Sequence, residues 1–219
     1  NYGWSNNMKY FLSIDQGTTS SRAIIFNSNL EPILDAQREY DLDYPNDGWV
    51  ELNPQDVLET VLASLEQVLA EDIDIEACGI TNQRETTIVW SKSSGKPIYP
   101  GIVWQDRRTH EFCNELKLKG IEDSIKNKTG LVLDPYFSAT KIKWILDNVV
   151  GAREKAENGD LLFGTVDSYL IYMLSKEKNH FTDVTNASRT LLFNIKTMEW
   201  DNELLDLFEI PRSMMPAVL

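Results

Sequence analysis

A chain of 219 residues with 42% hydrophobic and 10% aromatic residues has enough apolar side chain for one large domain or two small ones, so a folded globular protein is expected. Its 34 acidic against 21 basic residues leave a net charge of -13, a field that repels DNA, RNA and anionic headgroups and argues against a nucleic-acid partner. A polyanion bound by such a chain must be met by local backbone donors, a few placed cations and a metal ion. No apolar run approaches the roughly 18 residues of a membrane span. Cys78 and Cys113 read as buried free thiols, which fits a soluble protein of the reducing cytoplasm. Residues 1–8 read as an appended or flexible N-terminus, because Met8 followed by Lys9 looks like a natural start.

Taken in chain order, residues 10–14 (YFLSI) and 22–26 (RAIIF) are β-prone runs separated by the polar, glycine-containing 15–19, a hairpin signature. Residues 33–40 suit a third strand at a sheet edge. Asn53 precedes Pro54 and Asp56, and Val57, Leu58, Val61, Leu62, Leu65, Val68 and Leu69 follow at helical spacing, which predicts a capped amphipathic helix. Residues 77–81 predict a buried strand, 86–90 its hairpin-like successor, and 98–104 a further strand. Helices are expected over 108–118, over 121–128 with Gly130 as its cap, and over 138–149 ending at Gly151. After a strand at 161–164, Asp167 is placed to cap a helix reaching Ser175; a late strand at 190–193 and a short helix at 201–208 close the order. Strands first in hairpins and then alternating with helices predict an α/β fold, a mixed central sheet flanked by helices. No internal linker is evident, so residues 9–219 read as one domain.

Several polar interruptions carry side chains suited to chemistry. In 15–22 (DQGTTSSR), a strand ends in a carboxylate and enters a tight turn of small hydroxyl residues. Gly17 admits a close phosphate, Thr18, Thr19 and Ser20 can donate to its oxygens, Arg22 can neutralise charge, and Asp15 can position Mg²⁺ through water. The same residue types also make ordinary turns, and the Gly-Lys-Ser/Thr ending of a Walker A loop is missing. Arg84 beside Glu85 offers charge-assisted bonds of both kinds to the hydroxyls of a polyol, yet equally suits a solvated turn. Trp104 fits either core or an apolar wall against a carbon chain, and Tyr136 either a hydroxyl contact or a staple for the next helix. His110 and His180 stand apart without ligand spacing, which argues against a histidine metal site or a Ser-His-Asp triad.

Together these segments resemble the FGGY sugar-kinase family, which includes glycerol, xylulose and gluconate kinases, and within it the kinases acting on glycerol. The likeness runs from about Lys9 to the C-terminus. It rests on DQGTTSSR at 15–22, GWVE at 48–51, GITNQRETTIVW at 79–90, IVWQDRR at 102–108, TGLVLDPYFSATKIKWIL at 129–146, LLFGTVDSYLI at 161–171 and TDVTNASRTLLFNI at 182–195. The resemblance implies an actin-like, ribonuclease-H-like fold forming the N-terminal half of a two-domain kinase. That kinase would phosphorylate glycerol to sn-glycerol 3-phosphate with ATP as co-substrate, ADP as product and Mg²⁺ as metal ion. By the same likeness Arg84, Glu85, Trp104, Tyr136 and Thr18 contact the substrate, Thr18, Thr19, Ser20 and Arg22 the nucleotide phosphates, and Asp15 the metal. The general-base aspartate and the adenosine site are expected beyond Leu219, in a C-terminal domain partnering this one, so the chain alone is expected to be inactive. A homo-oligomer is expected of the full-length enzyme. The alternatives are another polyol or sugar kinase of the family and a non-catalytic actin-like nucleotide-binding module.

Overall fold

The structure, a computed structural model, describes residues 8–219. The expectation for the N-terminus therefore falls, apart from Met8, outside the described residues. The chain divides into two compact units: residues up to Asp41 with Gln55–Gln83, and Leu42–Pro54 with Arg84–Leu219. Both units are discontinuous in sequence, which is why no single linker stands out in the composition.

In the first unit β1 (Tyr10–Gln16), β2 (Ser20–Asn27) and β3 (Pro32–Glu39) form an antiparallel meander, and Ile75–Asn82 lies parallel to β1 on its other side. The mixed sheet expected from the sequence is thus present, with β3 at one edge as anticipated. Side chains alternate as the pleat requires: Tyr10, Leu12 and Ile14 of β1 and Ala23 and Ile25 of β2 are buried. Helix α1 (Pro54–Val68) adds Val68 and the partly buried Leu65 to the cluster formed with Tyr10, Leu12, Ala23, Ile25 and Ala36.

Two expectations fail here. Leu62 and Leu69, assigned to the apolar face of α1, are 46% and 45% exposed. The strand Ile75–Asn82, apolar enough to be buried, is largely exposed, and Cys78 with it, because among the described residues only β1 pairs with it. An apolar run reports that a strand can be buried, not that a neighbour is present to bury it.

In the second unit Ile88–Ser91 pairs antiparallel with Leu161–Gly164, so it is not the hairpin successor of Ile75–Asn82. Ile88, Val89 and Trp90 are fully buried, which an exposed hairpin arm would not allow. Gly164 is required by this pairing: a Cβ there would sit 2.5 Å from the Ser168 Cβ and 2.8 Å from the Trp90 ring. Of the run at 98–104 only Gly101–Ile102 is strand, paired to Glu51–Leu52, which in turn pairs with Leu42–Asp43.

The helices of this unit include α2 (His110–Leu118), α3 (Glu122–Thr129), α4 (Ser138–Asn148), α5 (Ala152–Glu157) and α6 (Val166–Leu174). Gly130 caps α3 in the left-handed conformation, as expected. Gly151 does not simply end α4 but opens α5, a six-residue polar helix too short to show a period. Asp167 is not the cap of α6; Thr165 occupies that position, and the buried Asp167 carboxylate accepts hydrogen bonds from the hydroxyls of Thr165 and Thr182. Leu191, at φ 65°, interrupts the run at 190–193, leaving the strand Phe193–Asn194 paired with Glu199–Trp200. The short helix Asn202–Leu207 forms as expected, capped by Asp201 accepting from the Leu204 amide. Strands and helices share one core including Val89, Ile102, Ile125, Ile142, Phe163 and Phe208. Among the described residues no helix is long and apolar enough to cross a membrane.

The thiols give a direct check. Both cysteines are free; Cys113, on α2, is 1% exposed and its thiol is pushed up to about 12, chiefly by burial. A maleimide is expected to label one equivalent, Cys78, within minutes in the folded chain, and the second only on unfolding. Protection of both thiols in the native chain would show that the Ile75–Asn82 strand is covered after all.

Candidate functional site

The candidate phosphate turn lies between β1 and β2. Gly17 donates its amide to the Ser20 carbonyl at 2.8 Å, closing the turn, and its own carbonyl accepts from three side chains. These donors are the Gln16 amide at 2.6 Å, the Tyr40 hydroxyl at 2.6 Å and the Gln83 amide at 2.9 Å. Gln83 also donates its backbone N–H to the Gln16 carbonyl, and Tyr40 its own to the Thr19 carbonyl. Buried among these groups, the Tyr40 phenol is pushed up to about 12 and stays a hydrogen-bond donor. The turn is therefore held in shape from behind by polar side chains, with Thr18 and Thr19 between the strand ends.

The other residues assigned to this turn sit differently. Ser20 accepts at its hydroxyl from Gln37, and Arg22 pairs with Asp35 through Nη2 at 2.9 Å, both partners being roughly half exposed. The Arg22 cation is thus shared with a carboxylate of β3, a screened surface pair of small stabilising effect. Asp15 is exposed at the end of β1. Among the described residues no group of three or more His, Cys, Asp or Glu could hold a metal ion, so Asp15 offers a single carboxylate. That suits a Mg²⁺ ion which keeps most of its waters and shares phosphate oxygens.

The candidate polyol cluster lies in the second unit. Glu85 is 4% exposed, and its Oε1 accepts from Arg189 Nε at 2.6 Å. Arg84, read from the sequence as the cation of the pair, is exposed; the partner of Glu85 is Arg189, from the turn after the short helix Val184–Ala187. The Arg189 guanidinium stands 5.0 Å from the Phe137 ring and 5.9 Å from the Tyr136 ring. Tyr136 in turn faces Trp104 with ring centroids 5.6 Å apart. The structure therefore brings Glu85, Tyr136 and Trp104 into one neighbourhood, with Arg189 added.

Three supports fix this neighbourhood. Asp134 accepts from the Tyr136 backbone N–H at 2.9 Å and from Arg107 at 2.8 Å, fixing the turn into α4. Beneath, Lys141 is wholly buried and donates to the main-chain carbonyls of Glu85 at 3.1 Å and Tyr136 at 2.8 Å. Four residues after Trp104, the Arg108 side chain, shielded from solvent, bonds both Asp106 and Glu51 at 2.8 Å and lies 3.9 Å from the Trp49 ring and 4.5 Å from that of Trp144. The Val50 amide donates to Asp106 at 2.7 Å, so residues 48–51 and 102–108 serve as one charged core element. Sequence reasoning missed Arg189, Lys141, Tyr40 and Gln83 as contributors, although Gln83, Lys141 and Arg189 all fall inside the motifs quoted above.

Burial drives the Lys141 ammonium down to about 7 from its ordinary 10.5, although the carboxylates of Asp106 and Glu85 pull it back up. The unfolded chain therefore holds one more proton than the fold from about pH 7 upward, so stability must rise with pH there. Above about pH 9 the raised thiol of Cys113, protonated in the fold and ionised in the unfolded chain, offsets this slope. The urea midpoint of the chain is expected to climb between about pH 7 and 8.5, by a slope on the order of 1 kcal/mol per pH unit or less. Lys141→Met should flatten it; an equal climb in the variant would assign the effect to another group.

The chain matches the N-terminal domain model of the FGGY family of carbohydrate kinases over residues 10–219. It is 58% identical over 214 residues to a glycerol kinase of Oceanobacillus iheyensis and 57% identical to one of Bacillus cereus, covering 96% of this chain and 43% of each relative. Among solved structures it is similar to a Plasmodium falciparum glycerol kinase with ADP, at 34% identity and a TM-score of 0.93, again over 96% of this chain and 43% of that one. A Lactobacillus acidophilus gluconate kinase, 23% identical with a TM-score of 0.87, shares the fold over 97% of this chain. The chain thus spans less than half the length of these relatives and has the actin-like, ribonuclease-H-like fold of their N-terminal half. This chain belongs to the FGGY family of carbohydrate kinases, of which it is the N-terminal domain.

Proposed function

We propose that the chain is the substrate-binding half of an enzyme that transfers a phosphoryl group from ATP to glycerol, giving sn-glycerol 3-phosphate. The observation that carries this reading is the 58% identity to a glycerol kinase over 214 residues, 96% of this chain. The geometry supports it. Glu85 can accept from glycerol hydroxyls, Arg84 and Arg189 can donate to them, Tyr136 adds a phenol and Trp104 an apolar wall. A ligand bearing a hydroxyl on every carbon leaves such a buried carboxylate satisfied, whereas a smaller alcohol leaves it unmatched.

In this reading Thr18, Thr19 and Ser20 contact the nucleotide phosphates, with Arg22 adding charge where it can leave Asp35. Asp15 would hold Mg²⁺, which when bound neutralises charge on the phosphates. The chemistry is in-line attack of a terminal glycerol hydroxyl on the γ-phosphorus, and the chain's share of it is positioning and charge stabilisation. The aspartate that takes the hydroxyl proton, and the adenosine site, are assigned to a second domain that partners residues 9–219 in a longer polypeptide. The relatives, more than twice as long as this chain, support that assignment. We place the enzyme in the cytoplasm, in keeping with two unpaired thiols, and expect it to be a homo-oligomer.

ADP formation by the polypeptide extended to the length of its relatives, compared over glycerol, xylulose and gluconate, tests the reading. The highest kcat/KM is expected with glycerol, and no glycerol-dependent ADP formation by the 219-residue chain, which would lack base and closure. A higher kcat/KM with xylulose or gluconate would reassign the substrate, and turnover by the chain alone would place a usable base within it.

A further inference from the structure

Lys141 is a wholly buried lysine in the second unit that the proposed chemistry does not use. A lysine fully removed from water disfavours its own charge, and a Met or Leu on that face of α4 would fill similar space at no such penalty. Its hydrogen bonds run to two main-chain carbonyls from separate segments, and those carbonyls belong to Glu85 and Tyr136. Held carbonyls fix the peptide planes of both residues and hence the directions in which the carboxylate and the phenol leave the backbone. Asp106, tied to Arg108, adds a negative field at the amine, so the charged core and the polyol cluster meet at this side chain.

We propose that Lys141 is the positioning residue of the polyol site, setting the separation of Glu85 and Tyr136 and thereby the length of polyol accepted. This rests on the reading of that cluster as the polyol site. Lys141 touches no ligand in this account; it acts through the two residues whose carbonyls it holds.

The test compares Lys141→Met and Lys141→Gln with wild type in the full-length enzyme, measuring KM for glycerol and for ATP separately, together with near-ultraviolet circular dichroism. For Lys141→Met we expect glycerol KM to rise about tenfold or more while ATP KM stays within about twofold, since a displaced carboxylate loses charge-assisted bonds only to the polyol. Lys141→Gln, which keeps an amide donor on a shorter arm, should fall between the two. The kcat/KM ratio of a four-carbon polyol to glycerol should also increase in Lys141→Met as the separation relaxes. A folded variant with unchanged glycerol KM, or with glycerol and ATP KM raised alike, would overturn the proposal and leave Lys141 a general stability residue. If Lys141→Met does not fold, Lys141→Gln decides by the same two constants. Failure of wild type to phosphorylate glycerol would instead remove the underlying reading, an outcome separate from any behaviour of the variants.

Discussion

Much of the second unit depends on one charge taken out of water. The Arg108 guanidinium is shielded from solvent, bonded to the carboxylates of Asp106 and Glu51 and packed against the rings of Trp49 and Trp144. A buried charge of this kind is tolerable only while both its partners stay in place; removing one partner typically costs about 3–5 kcal/mol. The consequence is that three stretches far apart in sequence, 48–51, 102–108 and α4, cannot shift independently. Trp104 sits in the second of these, and α4 begins just after Tyr136 and carries Lys141. The residues that meet the proposed ligand thus hang from a charged core, while Glu85, in the bend that precedes Ile88–Ser91, is held to the same frame through Lys141.

The first unit solves a similar problem without charge. A turn that is to bind phosphate, as we propose for this one, must leave backbone and hydroxyl donors facing outward and yet keep one shape, since donors placed in advance need no reorganisation when the anion arrives. Here the shape comes from three side chains, Gln16, Tyr40 and Gln83, converging on the Gly17 carbonyl. None of the turn residues from Gly17 to Ser20 adopts a positive φ, so the conformation is held by hydrogen bonds and not by backbone strain. Gln83 gives the segment leading to Arg84 and Glu85 a task distinct from the one suggested by its proximity to them.

How much of this is legible in the sequence follows from the range of the interactions. The β1–β2 hairpin, the edge strand, α1 and the Gly130 cap are written in local alternation, helical spacing and single residue types, and the structure contains them. The partner of Glu85 is not local: Arg189 lies 104 positions away, whereas Arg84 is adjacent and therefore the natural guess. Lys141 falls in a helix whose charged residues would ordinarily face water, and nothing in the spacing marks one of them as fully buried. The exposure of Ile75–Asn82 and the pairing of Ile88–Ser91 with Leu161–Gly164 are likewise decided by which strands lie alongside, not by the strands themselves. The motif strings carry the family, and the geometry adds which of their residues touch.

The central claim is that the carboxylate of Glu85, aimed by Lys141 and paired with Arg189, is what binds the polyol. The most direct measurement is calorimetric titration of glycerol into the full-length enzyme without nucleotide, for wild type and for Glu85→Gln, which keeps the size of the side chain and removes its charge. The account predicts one saturable site in wild type and a loss of about tenfold or more in affinity in the variant, with near-ultraviolet circular dichroism unchanged. Equal affinity in the two proteins would contradict it and send the search for the polyol site elsewhere in the molecule.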